Sequence, residues 1–298
     1  MRKILRNSLA CLALSIAVSG CVSIPEQPQI ISQSHGGEIS TLSGSCKTSP
    51  AQHDNNSFDE SIHALNPTRF SVLNWNVYKG NRETWKADFA NFTQQQDIVL
   101  LQEALLSDDL KVVLQDRGLN WHLNTAFYYD DLETGVMTAS RVESGLHCAM
   151  RTAEPVIRVP KTTLISRYPI AGMSQRLLVA NIHGINFTLG LGSYESQMMA
   201  VEEILLKHDG PIVLAGDFNN WSDKRTKVLL DMMERLSLKQ LPYKNHNRTM
   251  VFGSAIDHVF YRGLMAVSHK THHVTSSDHN PITVTFKVSN TRLARTAE

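Results

Sequence analysis

From Phe70 to Val288 the chain alternates apolar runs of strand length with amphipathic stretches of helix length. The strand candidates are "FSVLNWNV", "DIVLLQEA", "RLLVANIHG", "PIVLAGDFN", "AIDHVFYRG" and "PITVTFKV". In the last of these, Ile282, Val284 and Phe286 fall on one side and Thr283 and Thr285 on the other. That period of two marks a half-buried strand, and Pro281 suits its start. Three segments carry helical periodicity: Thr84–Gln96, Glu195–His208 and Ser222–Leu236. Trp85, Phe89 and Phe92 share a face of the first. Ser222 is the expected N-cap of the third, whose buried stripe is Val228, Leu229, Met232, Met233 and Leu236. Mixed strands and helices without an internal repeat predict an α/β fold.

The ends differ. Residues 1–21, "MRKILRNSLACLALSIAVSGC", have a basic start, an apolar run from Leu9 to Val18 and then small residues, the pattern of an export signal. That run is too short for a stable membrane span. "VSGC" resembles the bacterial lipobox, which implies lipid on Cys21, a membrane anchor at the N-terminus and a periplasm-facing lipoprotein of the outer membrane, with simple secretion as the alternative. Residues 22–68, rich in Ser, Gln, Pro, Gly and Asn, are expected to form a flexible tether or loose arm, 69–288 the catalytic domain, and 289–298 a frayed tail.

Charge adds an exclusion. The formal net charge is +1, and setting aside Arg2, Lys3 and Arg6 makes it −2, so no broad basic surface for wrapping a polyanion is encoded. Of four cysteines, Cys11 leaves with the signal and Cys21 belongs to the lipobox. Cys46 and Cys148 remain, and they could pair in an oxidising compartment.

The apolar runs end on chemistry. "VLNWN" ends on Asn76, "IVLLQE" on Glu103 and "LLVANIH" on His183; "IVLAGDFN" delivers Asp217 and Asn219, and Asp278-His279 precedes the final run. Polar strand ends are ordinary one at a time, but several at comparable termini predict one shared cleft. Carboxylates are hard donors that suit Mg²⁺ or Mn²⁺ rather than zinc. The histidines can move protons near neutral pH. No glycine-rich nucleotide cradle, G-x-S-x-G elbow or H-E-x-x-H pair is present. The set fits metal-assisted attack of water on phosphorus. His269, His272 and His273 in "SHKTHH" read as a polar strand edge, His246 and His258 as surface or supporting residues, and Arg141 and Arg167 as solvated arginines before phosphate contacts.

In order, Asn76 in "NWNV", Glu103 in "LLQEA", His183 in "NIHG", Asp217 and Asn219 in "GDFNNW", Asp257 in "IDHVFYRG" and Asp278-His279 in "SSDHNP" resemble the endonuclease/exonuclease/phosphatase superfamily, the fold of pancreatic-type deoxyribonuclease. The resemblance implies a four-layer α/β sandwich of two mixed sheets with helices outside. It implies that Glu103 binds Mg²⁺ or Mn²⁺ with Asn76 positioning it, and that Asp278 supports the metal or the water. Asp217 would orient or deprotonate water, Asn219 hold the phosphate, and Asp257 pair with His279; which group is the base stays open. A histidine at the position of His183 implies assistance to a departing alkoxide, hence a phosphodiester. Tyr78, where apurinic endonucleases carry Asp, argues against abasic-site repair. Nucleic acid is the leading substrate class, a phospholipid or phosphomonoester the alternative, and a non-catalytic binding lipoprotein a third reading. No protein partner is predicted.

Overall fold

The computed structural model describes residues 22–42, 46, 64–188, 190–244 and 246–289. In chain order the elements are β1 (Val22–Ser23), β2 (Ile30–Gln33), β3 (Ser40–Leu42), β4 (Phe70–Asn76), α1 (Trp85–Thr93), β5 (Ile98–Leu105) and α2 (Asp108–Asp116). Four strands follow: β6 (Asn120–Tyr129), β7 (Leu132–Ser140), β8 (Leu146–Ala153) and β9 (Pro160–Tyr168). Then come β10 (Leu177–His183), α3 (Gly192–Leu206), β11 (Ile212–Asp217), α4 (Asp223–Arg235), β12 (Lys239–Gln240), β13 (Met250–Val251) and β14 (Ser254–Ala255). The chain closes with β15 (Asp257–Arg262), β16 (Leu264–Thr271) and β17 (Ile282–Val288).

Two mixed sheets form. One runs β16-β17-β4-β5-β7-β6-β2-β3, with β1 paired to β6; the other runs β12-β15-β11-β10-β9-β8. Each contains one parallel pair, β4 with β5 and β10 with β11. Period-two alternation explains how they stack. Phe70 and Val72 of β4, Ile98 and Leu100 of β5, Val179 of β10, Val213 of β11 and Val259 of β15 share one core between the sheets. The intervening residues face outward: Leu73, Trp75, Val99 and Leu101 pack against Trp85 and Phe89 of α1 and Leu110 of α2. On the other side Leu178, Ala180 and Ile182 meet Met198 and Val201 of α3 and Leu229 and Met232 of α4. The result is the expected four-layer α/β sandwich.

Helix starts follow local chemistry. Ser222 caps α4, its side chain accepting from the backbone N–H of Arg225. α2, absent from the sequence reading, has the same device in Ser107, which accepts from Leu110 N, and two acidic residues in its first turn. Arg141 donates to the carbonyls of Gln94, Gln96 and Arg117, so it ties down the end of α1 instead of facing a ligand. The "SHKTHH" histidines lie at or beside the outermost strand β16, as expected of a polar edge.

The segment following Cys21 departs from the expected tether. β2 pairs with β6 and extends the first sheet, and Ile30 is fully buried. Arg151 donates to the carbonyls of Pro25 and Glu26, tying this stretch to the end of β8. Two buried isoleucines in a four-residue strand are too few to set a visible period among Ser and Gln. Cys46 and Cys148 form a disulfide, which joins the arm to β8 at a buried cysteine. Cys21 and residues 290–298 lie outside the described residues.

Candidate active site

The inward rows change character at one end of the sandwich. β4 runs Phe70, Val72, Asn74, Asn76, and β10 runs Leu177, Val179, Asn181, His183, in each case from apolar to polar on one face. Below the cleft, Gln102 bridges the sheets, its amide donating to Asn74 Oδ1 at 3.0 Å and Asn181 Oδ1 at 2.6 Å. Asn181 in turn donates to the carbonyl of Met137 at 2.8 Å. A buried polar bridge of this kind ties the two sheets together beneath the reacting groups.

Strand register then sets the row above. His183 pairs with Asp217 across β10 and β11, and Asp217 pairs with Asp257 across β11 and β15. The strands approach closely here: a Cβ on Gly216 would sit 1.9 Å from Ile182 O, and one on Gly184 2.4 Å from Phe218 O. Glycine is required at both positions for that reason. The loop before β17 brings His279 onto the same row. Its backbone is held by Ser277 Oγ at 3.1 Å, by Trp75 Nε1, which donates to His279 O at 2.9 Å, and by Ser277 Oγ donating to Asn76 O at 2.7 Å. The Ser-rich crowding of this loop is thus spent on hydrogen bonds that aim one ring.

Asp217 is the hub. Its Oδ2 lies 3.2 Å from Asn76 Nδ2, 3.3 Å from Asn219 Nδ2, 3.4 Å from His183 Nε2 and 3.8 Å from His279 Nε2. Its Oδ1 accepts from Asn219 N at 3.0 Å. His279 Nδ1 lies 2.9 and 3.1 Å from the two oxygens of Asp257. Asn219 adopts φ +48°, a left-handed conformation that carboxamides tolerate, and its amide also donates to Gly184 O at 3.0 Å.

Burial and neighbouring charge split the acids and bases. Burial raises Asp217 to about 6, with Asp257 adding to the rise and His279 opposing it. Burial works against a charged His279, but Asp257 and then Asp217 outweigh it and lift the ring to about 10. His183 moves well below its ordinary value, by burial first and then by Lys161. For Glu103, burial pushes upward, and the nearby His183, Lys79 and Lys161 outweigh it and hold it down at about 2. At neutral pH the site therefore presents an imidazolium at His279 and a neutral ring at His183.

Glu103 reaches the cleft by a backbone irregularity. The β5–β7 register shifts between Leu101 and Ala104, and Glu103 takes φ +51°. Such a bulge re-aims one side chain out of strand alternation. Its carboxylate is ion-paired with Lys79 and lies 4.0 Å from His183 Nε2. Asn76, expected to position Glu103, instead bonds Asp217 and accepts from Tyr78 N at 3.1 Å. Asp278 is exposed at the mouth of the cleft, beside Ser277 Oγ at 3.4 Å. It does not join the buried cluster.

Asp217, Asp257 and His279 bring ligand atoms within 4.8 Å of one another and could hold a metal ion. With Glu103, the donors are three carboxylates and one ring, a hard set that fits Mg²⁺ or Mn²⁺ better than zinc. While His279 is an imidazolium both its nitrogens carry protons, so the oxygens are the donors that remain.

Three supporting residues escaped the sequence reading. Lys161, at the start of β9, places Nζ 3.0 Å from His183 Nε2. Arg225 of α4, buried beside Trp221 and Tyr194, donates to the carbonyls of Ile185, Asn186 and Asn219. Gln197 of α3 accepts from Ile185 N and donates to His183 O. Nothing local distinguishes these from surface helix or strand residues; only the packed loops reveal them. His258 is buried and contacts Asn220, in the supporting position expected of it.

The sequence matches the Endonuclease/Exonuclease/phosphatase family over residues 73–279, which spans every catalytic candidate from Asn76 to His279. The chain belongs to that family. Among individual relatives, a UPF0294 protein of Vibrio campbellii is 35% identical over 290 residues, covering 94% of this chain and 98% of the relative. A UPF0294 protein of Vibrio parahaemolyticus is 35% identical over 286 residues, covering 95% and 97%. The chain therefore also belongs with the UPF0294 proteins.

Solved structures of the endonuclease/exonuclease/phosphatase fold superpose at low identity. The human Nocturnin catalytic domain with bound sulfate gives a TM-score of 0.58 at 14% identity, covering 76% of this chain and 96% of that one. A mannosyl-6-phosphatase of Bacteroides thetaiotaomicron gives 0.59 at 16%, covering 73% and 99%. These likenesses concern the fold. Family membership and the buried His/Asp cluster together point to a phosphohydrolase.

Proposed function

We propose that the protein is a divalent-metal-dependent phosphodiester hydrolase. The observation that carries this reading is the convergence on Asp217 Oδ2 of two amides and two imidazoles drawn from β4, β10, the loop after β11 and the loop before β17. A carboxylate whose pKa is raised to about 6 can take a proton from water near neutral pH, whereas an imidazolium at about 10 cannot. Asp217 is accordingly the base. His279, oriented by Asp257, donates from Nε2 to a phosphoryl oxygen, and Asn219 and Asn76 hold Asp217 in line. Glu103 leads the residues that would hold Mg²⁺ or Mn²⁺; the ion, when bound, draws charge from the phosphoryl oxygens. The P–O bond to the alcohol breaks as water oxygen bonds to phosphorus; the departing alkoxide takes a proton from solvent, and Asp217 returns to solvent the proton it took from water.

Nucleic acid is the first substrate class. A phospholipid diester is a second reading with an observation of its own: the β13–β14 hairpin, immediately before Asp257, carries Phe252 at 86% exposure, and Phe187 is 53% exposed. Phe252 stands edge-on to Trp221. An exposed aromatic beside a cleft suits base stacking and also insertion among acyl chains. Turnover of DNA, RNA, sphingomyelin and phosphomonoesters, measured with Mg²⁺, Mn²⁺ or chelator, separates these classes. Chelator should abolish all turnover, and Glu103→Gln should lower both Mn²⁺ affinity and kcat/KM; full activity in chelator would refute the metal mechanism.

We further propose export and lipidation at Cys21. The Cys46–Cys148 disulfide supports an oxidising compartment. Cys21→Ser should shift the protein from the membrane fraction to the soluble one, and mass spectrometry of the mature N-terminus finding an unlipidated residue would exclude the anchor.

A further inference from the structure

Lys161 follows Pro160 at the first turn into β9, half-buried, with Nζ 3.0 Å from His183 Nε2. An ammonium has three N–H donors and no lone pair, so His183 Nε2 must be the acceptor in this contact. The nitrogen that lies 3.4 Å from Asp217 and 4.0 Å from Glu103 therefore carries no proton. His183 so arranged has nothing to give a departing oxygen from Nε2, contrary to the role expected for a histidine at this strand end. Lys161, having used one N–H on the ring, keeps two donors and its full charge. The other ammonium of the cleft, Lys79, is committed to Glu103.

Charge points the same way. Lys79 is paired with Glu103, whereas Lys161 contacts the ring of His183 and leaves its positive charge for an anionic substrate.

We propose that Lys161 is a substrate-binding residue, whose ammonium grips the phosphoryl group, and that His183 is its positioning residue, holding the ammonium as a hydrogen-bond acceptor. This rests on the phosphohydrolase reading of the same cleft but not on the identity of the alcohol. Charge-assisted N–H to phosphate bonds are about twice as strong as neutral ones, and loss of one such donor typically costs about 10²-fold in turnover.

The test uses the full chain and inorganic phosphate as probe. In calorimetry with Mn²⁺ present, Lys161→Met should weaken phosphate binding about tenfold or more, and Lys161→Arg should restore part of it. Mn²⁺ affinity measured without phosphate should not fall, because Lys161 repels the ion. On bis-nitrophenyl phosphate, kcat/KM should drop about 10²-fold in Lys161→Met. His183→Ala added to Lys161→Met should cost little more than Lys161→Met alone, because the ring acts through the ammonium. Unchanged phosphate affinity in Lys161→Met, or fully additive losses in the double variant, would overturn the proposal. Should Lys161→Met shift the urea midpoint, Lys161→Gln takes its place in the same measurements. Wild type that binds phosphate through Lys161 but hydrolyses no phosphoester would sink the enzymatic reading and leave this subsite standing. Wild-type turnover and phosphate binding in Lys161→Met would do the reverse.

Discussion

His279 shows how a single ring is set to one task. Asp257 takes Nδ1 at 2.9 Å, and Ser277 and Trp75 hold the backbone on either side of the ring's own residue. With Nδ1 committed, only Nε2 faces Asp217 and the cleft. His279→Ala should reduce kcat/KM by about 10²-fold or more on any phosphoester, activated or not, because in the proposed mechanism the ring donates to the phosphoryl group and not to the leaving alcohol. A loss confined to substrates with poor leaving groups would instead assign it to departure. The residue identities here were legible: an acid beside a histidine after a serine pair, feeding an apolar run. Their division of labour was not, because burial raises Asp217, and Asp257 and Asp217 raise His279 against burial, only once the strands have packed.

At the scale of elements, a bulge and a cross-sheet contact matter most. Strand alternation alone puts Gln102 inward and Glu103 outward; the register shift in β5 lets both face the cleft end. Away from the site, β6 and β8 meet through His122 and His147, whose rings lie 3.5 Å apart, with Ser144 Oγ 3.3 Å from Nε2 of each. Burial lowers both rings, His147 to about 4 and His122 well below its ordinary value, where the neighbouring ring adds to the effect. The unfolded chain binds these protons near pH 6.5 and the folded chain resists them. Stability is therefore full above about pH 6.5 and is lost as pH falls toward about 4, by up to about 3 kcal/mol for His147 alone. Urea midpoints compared between pH 7.5 and pH 5 should fall more in wild type than in His122→Gln/His147→Gln. An equal fall in both would mean that the pair does not titrate on unfolding. Neither strand was read from the sequence, since "NWHLNTAFYY" mixes polar residues into the side that meets the other sheet.

For the whole molecule, the described residues of the arm are part of the fold. β2 covers the edge that β6 would otherwise leave open, and the disulfide closes a sequence separation of 102 residues onto β8. In the chain-entropy account a loop of that size is worth about 4 to 5 kcal/mol. Cys46→Ser and Cys148→Ser should each lower the urea midpoint by a similar amount under oxidising conditions, and added reductant should lower wild type to match. Variants indistinguishable from oxidised wild type would show that the link constrains nothing.

Sequence alone determined the alternating α/β organisation, the capped helix from Ser222, the polar strand edge at "SHKTHH" and the ordered set from Asn76 to His279. Each of these is written in local period, turn chemistry or motif order, which do not depend on what packs against them. Tertiary structure decided the rest. Lys161, Arg225 and Gln197 serve the site only because loops distant in sequence meet there. Ile30 and Ile31 become core only once β6 offers an edge. The acid–base assignment turned on desolvation and on charges brought within 4 Å by three strands in register, and through-space terms of that kind have no signature along a chain.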